Sequence, residues 1–256
     1  MPEESIEERH VLRGVDPDAL AFARQQLSNG TVWGLAVSGK LASGKDTVAT
    51  LVMDELGADR REHLSWATPL KDGLDELLDE MRRAASPEEA VERIADHDIG
   101  IIHAQRLVYE MWSEAQEGVK ARSRTPRVRW ALQYFGTDVR RAEDPDYWVR
   151  RAVQNCVAAI CEGRSVYFTD CRFPNEVEAA AMLGLYTVRL EITPEMQEAR
   201  LRGRDGLGFD PSAASHPSET ALDAYKHFDL IVDNNGLPIE AVCVITAGVR
   251  SRRHRL

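Results

Sequence analysis

Val32-Trp33-Gly34-Leu35-Ala36-Val37-Ser38-Gly39-Lys40-Leu41-Ala42-Ser43-Gly44-Lys45-Asp46-Thr47-Val48-Ala49-Thr50-Leu51-Val52 is the stretch on which the fold turns. Residues 32–37 form a short apolar run, the pattern of a strand buried on both faces of a parallel sheet. From Lys45 onward, Val48, Leu51, Val52 and Leu56 recur at helical spacing and predict an amphipathic helix. Between them, Gly39 to Lys45 fits G-x-x-x-x-G-K. Glycines let the backbone curl until its N–H groups converge on phosphate oxygens, the helix start adds positive potential, and Lys45 supplies a mobile ammonium. The motif alone recurs by chance. A strand before it and a helix after it favour a phosphate-binding loop over a plain turn.

The residue after the lysine departs from the usual pattern. That position is ordinarily Ser or Thr, whose hydroxyl ligates Mg²⁺. Here it is Asp46, with Thr47 one residue later. Two accounts follow: phosphates, water and carboxylates hold the metal, or Thr47 serves the phosphates directly.

The 256 residues suffice for one large domain with insertions and a full core. No apolar run approaches the roughly 20 residues that span a bilayer. The acidic start, Met1-Pro2-Glu3-Glu4-Ser5, lacks the basic and apolar regions of a signal peptide. Cys156, Cys161, Cys171 and Cys243 show no C-x-x-C pairing, so reduced thiols in a cytoplasmic protein are expected. A formal net charge of −10 argues against nucleic acid as a main partner and leaves local basic clusters for small anions.

Along the chain, residues 1–29 read as a charged, peripheral extension with a helix over 17–27. Residues 63–67 predict a second strand, and Thr68-Pro69 the cap and first position of a helix with Leu70, Leu74, Leu77, Leu78 and Met81 on one face. Lys71 lies in the first turn of that helix, where a cation opposes the macrodipole and an anion would relieve it. Ser86-Pro87-Glu88-Glu89 is a capping box, and 102–115 a further helix. These helices have no strands between them and predict an insertion in an α/β core. Lys120, Arg122, Arg124, Arg127 and Arg129 read as a solvated basic loop. The next helix is expected to stop at Gly136, and a long one to run from Trp148 to Gly163.

Residues 165–170 predict a third strand that places Asp170 at its C-terminal end, the ligand side of a parallel sheet. Asp170 is thereby a candidate for Mg²⁺, its waters or the acceptor, with Arg172 beside it. Residues 186–192 predict a fourth strand. Arg200, Arg202 and Arg204 follow on a helix that runs into Gly203, Gly206 and Gly208, the composition of a lid closing over phosphates. Residues 228–232 predict a fifth strand and the basic end of the chain a solvated tail.

G-K-L-A-S-G-K-D-T, A-T-P-L-K, L-Q-Y-F-G-T-D-V-R, Y-W-V, D-C-R-F-P-N-E, H-P-S-E and D-N-N-G occur in this order over residues 34–244. The order resembles the bacteriophage-type deoxynucleoside monophosphate kinases of the P-loop nucleoside monophosphate kinase group. The displaced Thr47 is similar to the K-G-T ending of adenylate kinase loops. Animal-type phosphomevalonate kinases are similar too, with an S-G-K-D loop, but Leu41 and Ala42 do not match their basic-rich version.

The resemblance implies an α/β P-loop kinase fold: a parallel five-stranded sheet flanked by helices, a helical acceptor-binding insertion and a small lid. Its divisions would be an extension over 1–29, a core over 30–66 and 149–256 with a lid at about 198–215, and an insertion over 67–148. It implies transfer of the ATP γ-phosphoryl group to a (deoxy)nucleoside monophosphate. Gly39, Lys40, Ser43, Gly44, Lys45, Asp46 and Thr47 would hold ATP, with Mg²⁺ at Asp46, Thr47 and Asp170. Lys71, Gln133, Arg140 and Arg172 would surround the monophosphate. Lys45, Asp170, Arg172, Arg200 and Arg204 would stabilise the transfer. Related kinases are often dimers, which makes a homodimer an expectation by analogy alone. A phosphomevalonate-type kinase and an ATP-binding regulator without transfer are the alternatives.

Overall fold

β1 (Gly34–Gly39) is buried along nearly its whole length because both neighbours in the sheet and the helices on either face cover it. In the computed structural model, which describes residues 10–205 and 220–253, β1 forms the centre of an all-parallel five-stranded sheet. The other strands are β2 (Arg61–Leu64), β3 (Ser165–Cys171), β4 (Tyr186–Glu191) and β5 (Leu230–Asp233). Their order is β2-β3-β1-β4-β5. The chain is an α/β protein with helices flanking this sheet, the architecture of a P-loop kinase-like fold.

The helices are α1 (Pro17–Ser28), α2 (Lys45–Glu55), α3 (Thr68–Arg83), α4 (Pro87–Ala95), α5 (Ile101–Gln116), α6 (Pro126–Gln133), α7 (Tyr147–Cys161), α8 (Pro174–Leu183), α9 (Pro194–Asp205) and α10 (Pro238–Arg253). Two compact units result, the described parts of Met1–Trp66 with Ala152–Leu256, and Ala67–Arg151.

In the first unit, Leu35 and Val37 of β1 meet Val48, Ala49, Val52 and Met53 of α2, Val188 and Leu190 of β4, and Ala241, Val242 and Ile245 of α10. Each such side chain removed from water contributes roughly 1.5–3 kcal/mol. α1 joins this unit more closely than a peripheral extension would. Ala23 is buried, and Arg24 Nε donates to Met182 O at 2.9 Å. Arg250 and Arg252, expected in a solvated tail, lie on α10. Arg252 donates to Leu185 O at 3.0 Å and pairs with Asp229.

The second unit is all-helical. Leu74, Leu77, Leu78 and Met81 of α3 pack with Ile94 of α4 and with Leu107 and Met111 of α5. Ser86 Oγ accepts from Glu89 N at 3.3 Å, while the Glu89 carboxylate accepts from Ala85 N at 2.8 Å. The expected basic loop is tied down by ion pairs of Lys120 with Asp79, Arg122 with Asp72 and Arg127 with Glu114.

Three local expectations are corrected. β2, Arg61–Leu64, starts two residues and ends three residues before the expected 63–67. Thr68 does not cap α3; Ala67 occupies that position with no side-chain bond, and Thr68 is already helical. Gly136 does not end a helix, because α6 continues directly as a π-helix, Tyr134–Arg141. A side chain at Gly136 would meet Leu70 Cδ2 at 2.9 Å, so the glycine serves close packing of this helix against α3.

Candidate functional site

β1 ends at Gly39 and α2 begins at Lys45, with five residues between them. The intervening loop folds onto itself through Ser43 N donating to Lys40 O at 3.0 Å. Ala42 and Gly44 take left-handed conformations, φ 62° and 84°. For Ala42 this costs roughly 1–2 kcal/mol, which the surrounding bonds must offset. Gly39 allows the closure: a Cβ there would press into Ser43 Oγ and lie 3.0 Å from Leu190 O. Ser43 is fully buried, and its hydroxyl has no hydrogen-bond partner. α2, with Gly44 at its N-cap, starts without a side-chain cap bond. Lys45 folds back toward the loop, its Nζ 3.5 Å from Lys40 O.

The loop is held from outside by residues that the motif does not contain. Asn234, after β5 and 1% exposed, donates from Nδ2 to Ser43 O at 2.7 Å. Gln197 of α9 donates to Leu41 O at 2.9 Å. Arg200 of α9 donates to Asn234 O at 2.6 Å and approaches the carbonyls of Ala42 and Ser43 at 3.4 Å. Arg200, expected in a lid, is thus placed on the loop's carbonyl side. Arg204 lies in the last turn of α9 with its side chain outside the described residues, and so does the expected lid from 206 to 215.

Asp46 and Asp170, expected to share a metal, have separate surroundings. Thr169 Oγ1 donates to Asp46 Oδ1 at 2.5 Å and lies 2.9 Å from His63 Nε2. Asp170 is drawn to the exit of β2, accepting from Ser65 Oγ at 2.6 Å and Trp66 N at 3.1 Å. Thr47 is exposed on α2, and Arg172 is exposed just after β3. Arg172 N donates to Glu176, whose buried carboxylate also accepts from Phe173 N. Behind the loop, Arg189 of β4 donates to Ser38 Oγ at 2.9 Å and Asp223 at 3.1 Å, and Lys40 pairs with the same Asp223 at 3.0 Å. A separate apolar cavity of about 330 Å³, lined by Leu27, Trp33, Met182, Tyr186 and Val249, shares no residue with the loop.

In the helical unit, Arg140 is 8% exposed and donates to the carbonyls of Asp98 at 2.7 Å and His97 at 2.5 Å, while its Nε has no partner. Its guanidinium and that of Arg151 both lie over the Tyr147 ring, at 4.8 and 5.1 Å. These residues line a hollow of about 260 Å³ with Glu76, His97 and Trp148. Lys71 is half-buried on α3 and Gln133 exposed on α6, and neither lines that hollow.

The residues at the loop fit a nucleotide polyphosphate: an uncapped helix start, an orphaned buried hydroxyl at Ser43 and a backbone cradle that tolerates no Cβ at Gly39. Among the described residues no three His, Cys, Asp or Glu ligands converge there. A divalent cation would therefore draw most of its ligands from phosphate oxygens and water, as Mg²⁺ usually does. Asp46 and Asp170 are carboxylates of the right type to join it.

No protein-family model matches the chain. Over 111 residues it is 37% identical to "Uncharacterized protein ORF77" of Ictalurid herpesvirus 1 (strain Auburn), covering 43% of each protein. The chain thus spans less than half the length of that relative. Over 227 residues it is 25% identical to a protein of Acanthamoeba polyphaga mimivirus named "Putative deoxynucleotide monophosphate kinase". Both relatives are viral. The second alignment covers 78% of this chain and 88% of the mimivirus protein.

Thr169, His63, Asn234, Gln197, Arg189 and Asp223 were not read as site residues from sequence. Asn234 lay within the D-N-N-G motif, but as a turn. Thr169 immediately precedes Asp170, and only side-chain direction separates the two.

Proposed function

We propose that this chain is an ATP-dependent kinase that transfers the γ-phosphoryl group of ATP to a (deoxy)nucleoside monophosphate, giving ADP and the diphosphate. The loop carries the reading: Gly39 to Lys45 closes around a buried, unpaired Ser43 hydroxyl at the C-terminal edge of a parallel sheet. The name of the mimivirus relative supports the acceptor class.

In this reading Gly39, Lys40, Ser43, Gly44, Lys45, Asp46 and Thr47 bind the ATP phosphates. Backbone N–H groups and the Lys45 ammonium stabilise charge as the phosphoryl group moves. Lys71, Gln133, Arg140 and Arg172 bind the acceptor, and Arg140 acts chiefly by fixing the turn at His97 and Asp98. Mg²⁺, when bound, would neutralise phosphate oxygens, with the Asp46 carboxylate beside the loop as a protein donor. Such transfer needs no covalent intermediate. Positioning two anions in line and neutralising their charge supplies most of the rate.

Incubation with Mg-ATP and a panel of ribo- and deoxyribonucleoside monophosphates, with phosphomevalonate included, tests the reading through product separation. A nucleoside diphosphate is the expected product. Phosphorylation of phosphomevalonate alone would reassign the acceptor. ATP binding without any transfer would leave a nucleotide-binding regulator.

A further inference from the structure

We propose that Asp46 and Thr169 together form the cation-facing pair of this loop, with the carboxylate on the helix and the hydroxyl on the strand. In P-loop nucleoside triphosphatases the hydroxyl comes from the residue after the loop lysine, and the carboxylate from the end of a neighbouring strand. This chain carries both groups with their owners exchanged. Asp46 follows Lys45, and the β3 side chain that meets it is Thr169, at 2.5 Å. The inference rests on the reading of the loop as a Mg-nucleotide site.

The hydrogen bonds favour this pair over Asp170. Thr169 is 3% exposed and has one hydroxyl hydrogen, which it gives to Asp46 Oδ1. Its contact with His63 Nε2 at 2.9 Å is then one in which the imidazole N–H donates. His63 is fixed in turn by stacking on Tyr167, ring centroids 4.6 Å apart and planes within 6°. One Asp46 oxygen is thereby oriented, and Oδ2 has no hydrogen-bond partner among the described residues. Asp170 has both oxygens engaged by Ser65 and Trp66. Adjacent strand residues point to opposite faces, so Thr169 turns toward α2 while Asp170 turns away from it. His63 is the positioning residue for this pair. Asp170 tethers β2 to β3.

The test is isothermal titration of ATP into the whole chain at graded Mg²⁺, a readout that requires no turnover. Asp46→Asn and Thr169→Val are expected to raise the Mg²⁺ needed for half-maximal ATP affinity by about tenfold or more, the usual scale for groups supporting a metal site. Thr169→Ser should keep the unaltered dependence. His63→Phe, which preserves the stack, should produce a smaller shift and add nothing in the Thr169→Val background, because it acts only through that hydroxyl. Asp46→Thr with Thr169→Asp should recover Mg²⁺ dependence that each single change loses. Asp170→Asn should lower the melting temperature and leave the Mg²⁺ dependence in place.

A Mg²⁺ shift with Asp170→Asn and none with Thr169→Val overturns the assignment. If the exchanged double variant fails to fold by circular dichroism, the contrast between Thr169→Ser and Thr169→Val decides. ATP binding by the unaltered chain without phosphoryl transfer would sink the kinase reading and leave the pair standing. No ATP binding at all would sink both.

Discussion

Asn234 and Ser43 are 191 positions apart in sequence, and the side-chain amide of the first donates to the main-chain carbonyl of the second at 2.7 Å. The bond fastens the loop over residues 39–45 to the turn after β5. Because Asn234 is almost wholly buried, its removal leaves the Ser43 carbonyl without that donor in a dry setting. A loss of roughly 1–3 kcal/mol follows. Asn234→Ala is expected to lower the melting temperature by several degrees, at about 2–4 °C per kcal/mol for a chain of this size. Differential scanning calorimetry checks it, and an unchanged transition would mean that the loop closes without this tie.

Arg200 separates two modes of action. Its guanidinium lies against carbonyls of the loop and Asn234, so it acts on the ground-state shape of the cradle. Arg200→Ala should weaken ATP binding by about tenfold or more, the scale of a lost charge-assisted hydrogen bond. Turnover at saturating ATP should change far less. Steady-state kinetics over a range of ATP distinguish this from a lid role, in which kcat would fall at unchanged affinity.

The helical unit carries an acid-sensitive contact. The hydrogen bond from Lys120, helped by Arg82, holds the Asp79 carboxyl below its ordinary range against the opposing effect of burial. A carboxyl held low in the folded state stabilises at pH above its unfolded value, about 3.9, and that contribution is lost as pH falls through the folded value. Asp79→Asn and Lys120→Met should therefore each reduce stability at neutral pH and flatten the loss below about pH 4. Urea unfolding at pH 7 and pH 3 measures the difference.

Thiol reactivity should divide the cysteines by burial. Desolvation pushes the Cys171 thiol well above its ordinary range, with Glu176 and Asp170 adding to it, and burial does the same for Cys156. Trp66 Nε1 lies 3.1 Å from Cys171 Sγ. Cys161 and Cys243 are exposed. At pH 8 Ellman's reagent should titrate Cys243 first and Cys161 next, the latter slowed by its raised thiol. Cys156 and Cys171 should react only on unfolding. Rapid reaction at Cys171 in the native chain would contradict its packing under Trp66.

The central fold was legible because local signals agreed. A buried run at residues 32–37, a glycine turn and a helical repeat after Lys45 all demanded one strand-loop-helix unit. The strand end at Asp170 was equally plain as a carboxylate on the ligand side. Its partner was not, since whether Asp170 or Thr169 meets α2 depends on strand register and on the Ser65 hydroxyl waiting at the exit of β2. Arg200 read as a phosphate-facing cation because composition gives charge and not direction. Gly136 read as a stop because glycine commonly ends helices, whereas here the absence of a side chain admits Leu70. The grip of Asn234 on the loop is a contact over 191 positions, which no local pattern carries.

The wide turn from Tyr134 to Arg141 sets the heading of the side chains at its own end. Each residue of an α-helix advances the heading by about 100°, so one surplus residue accommodated in a broader coil redirects the next side chains by that angle without lengthening the rod much. Arg140, whose guanidinium meets the His97 and Asp98 carbonyls, lies on that detour. Excising a single residue between Tyr134 and Val139 would tighten the coil and swing the guanidinium off its perch. The turn at 97–98 would then lose its anchor although every remaining residue in the segment kept its identity.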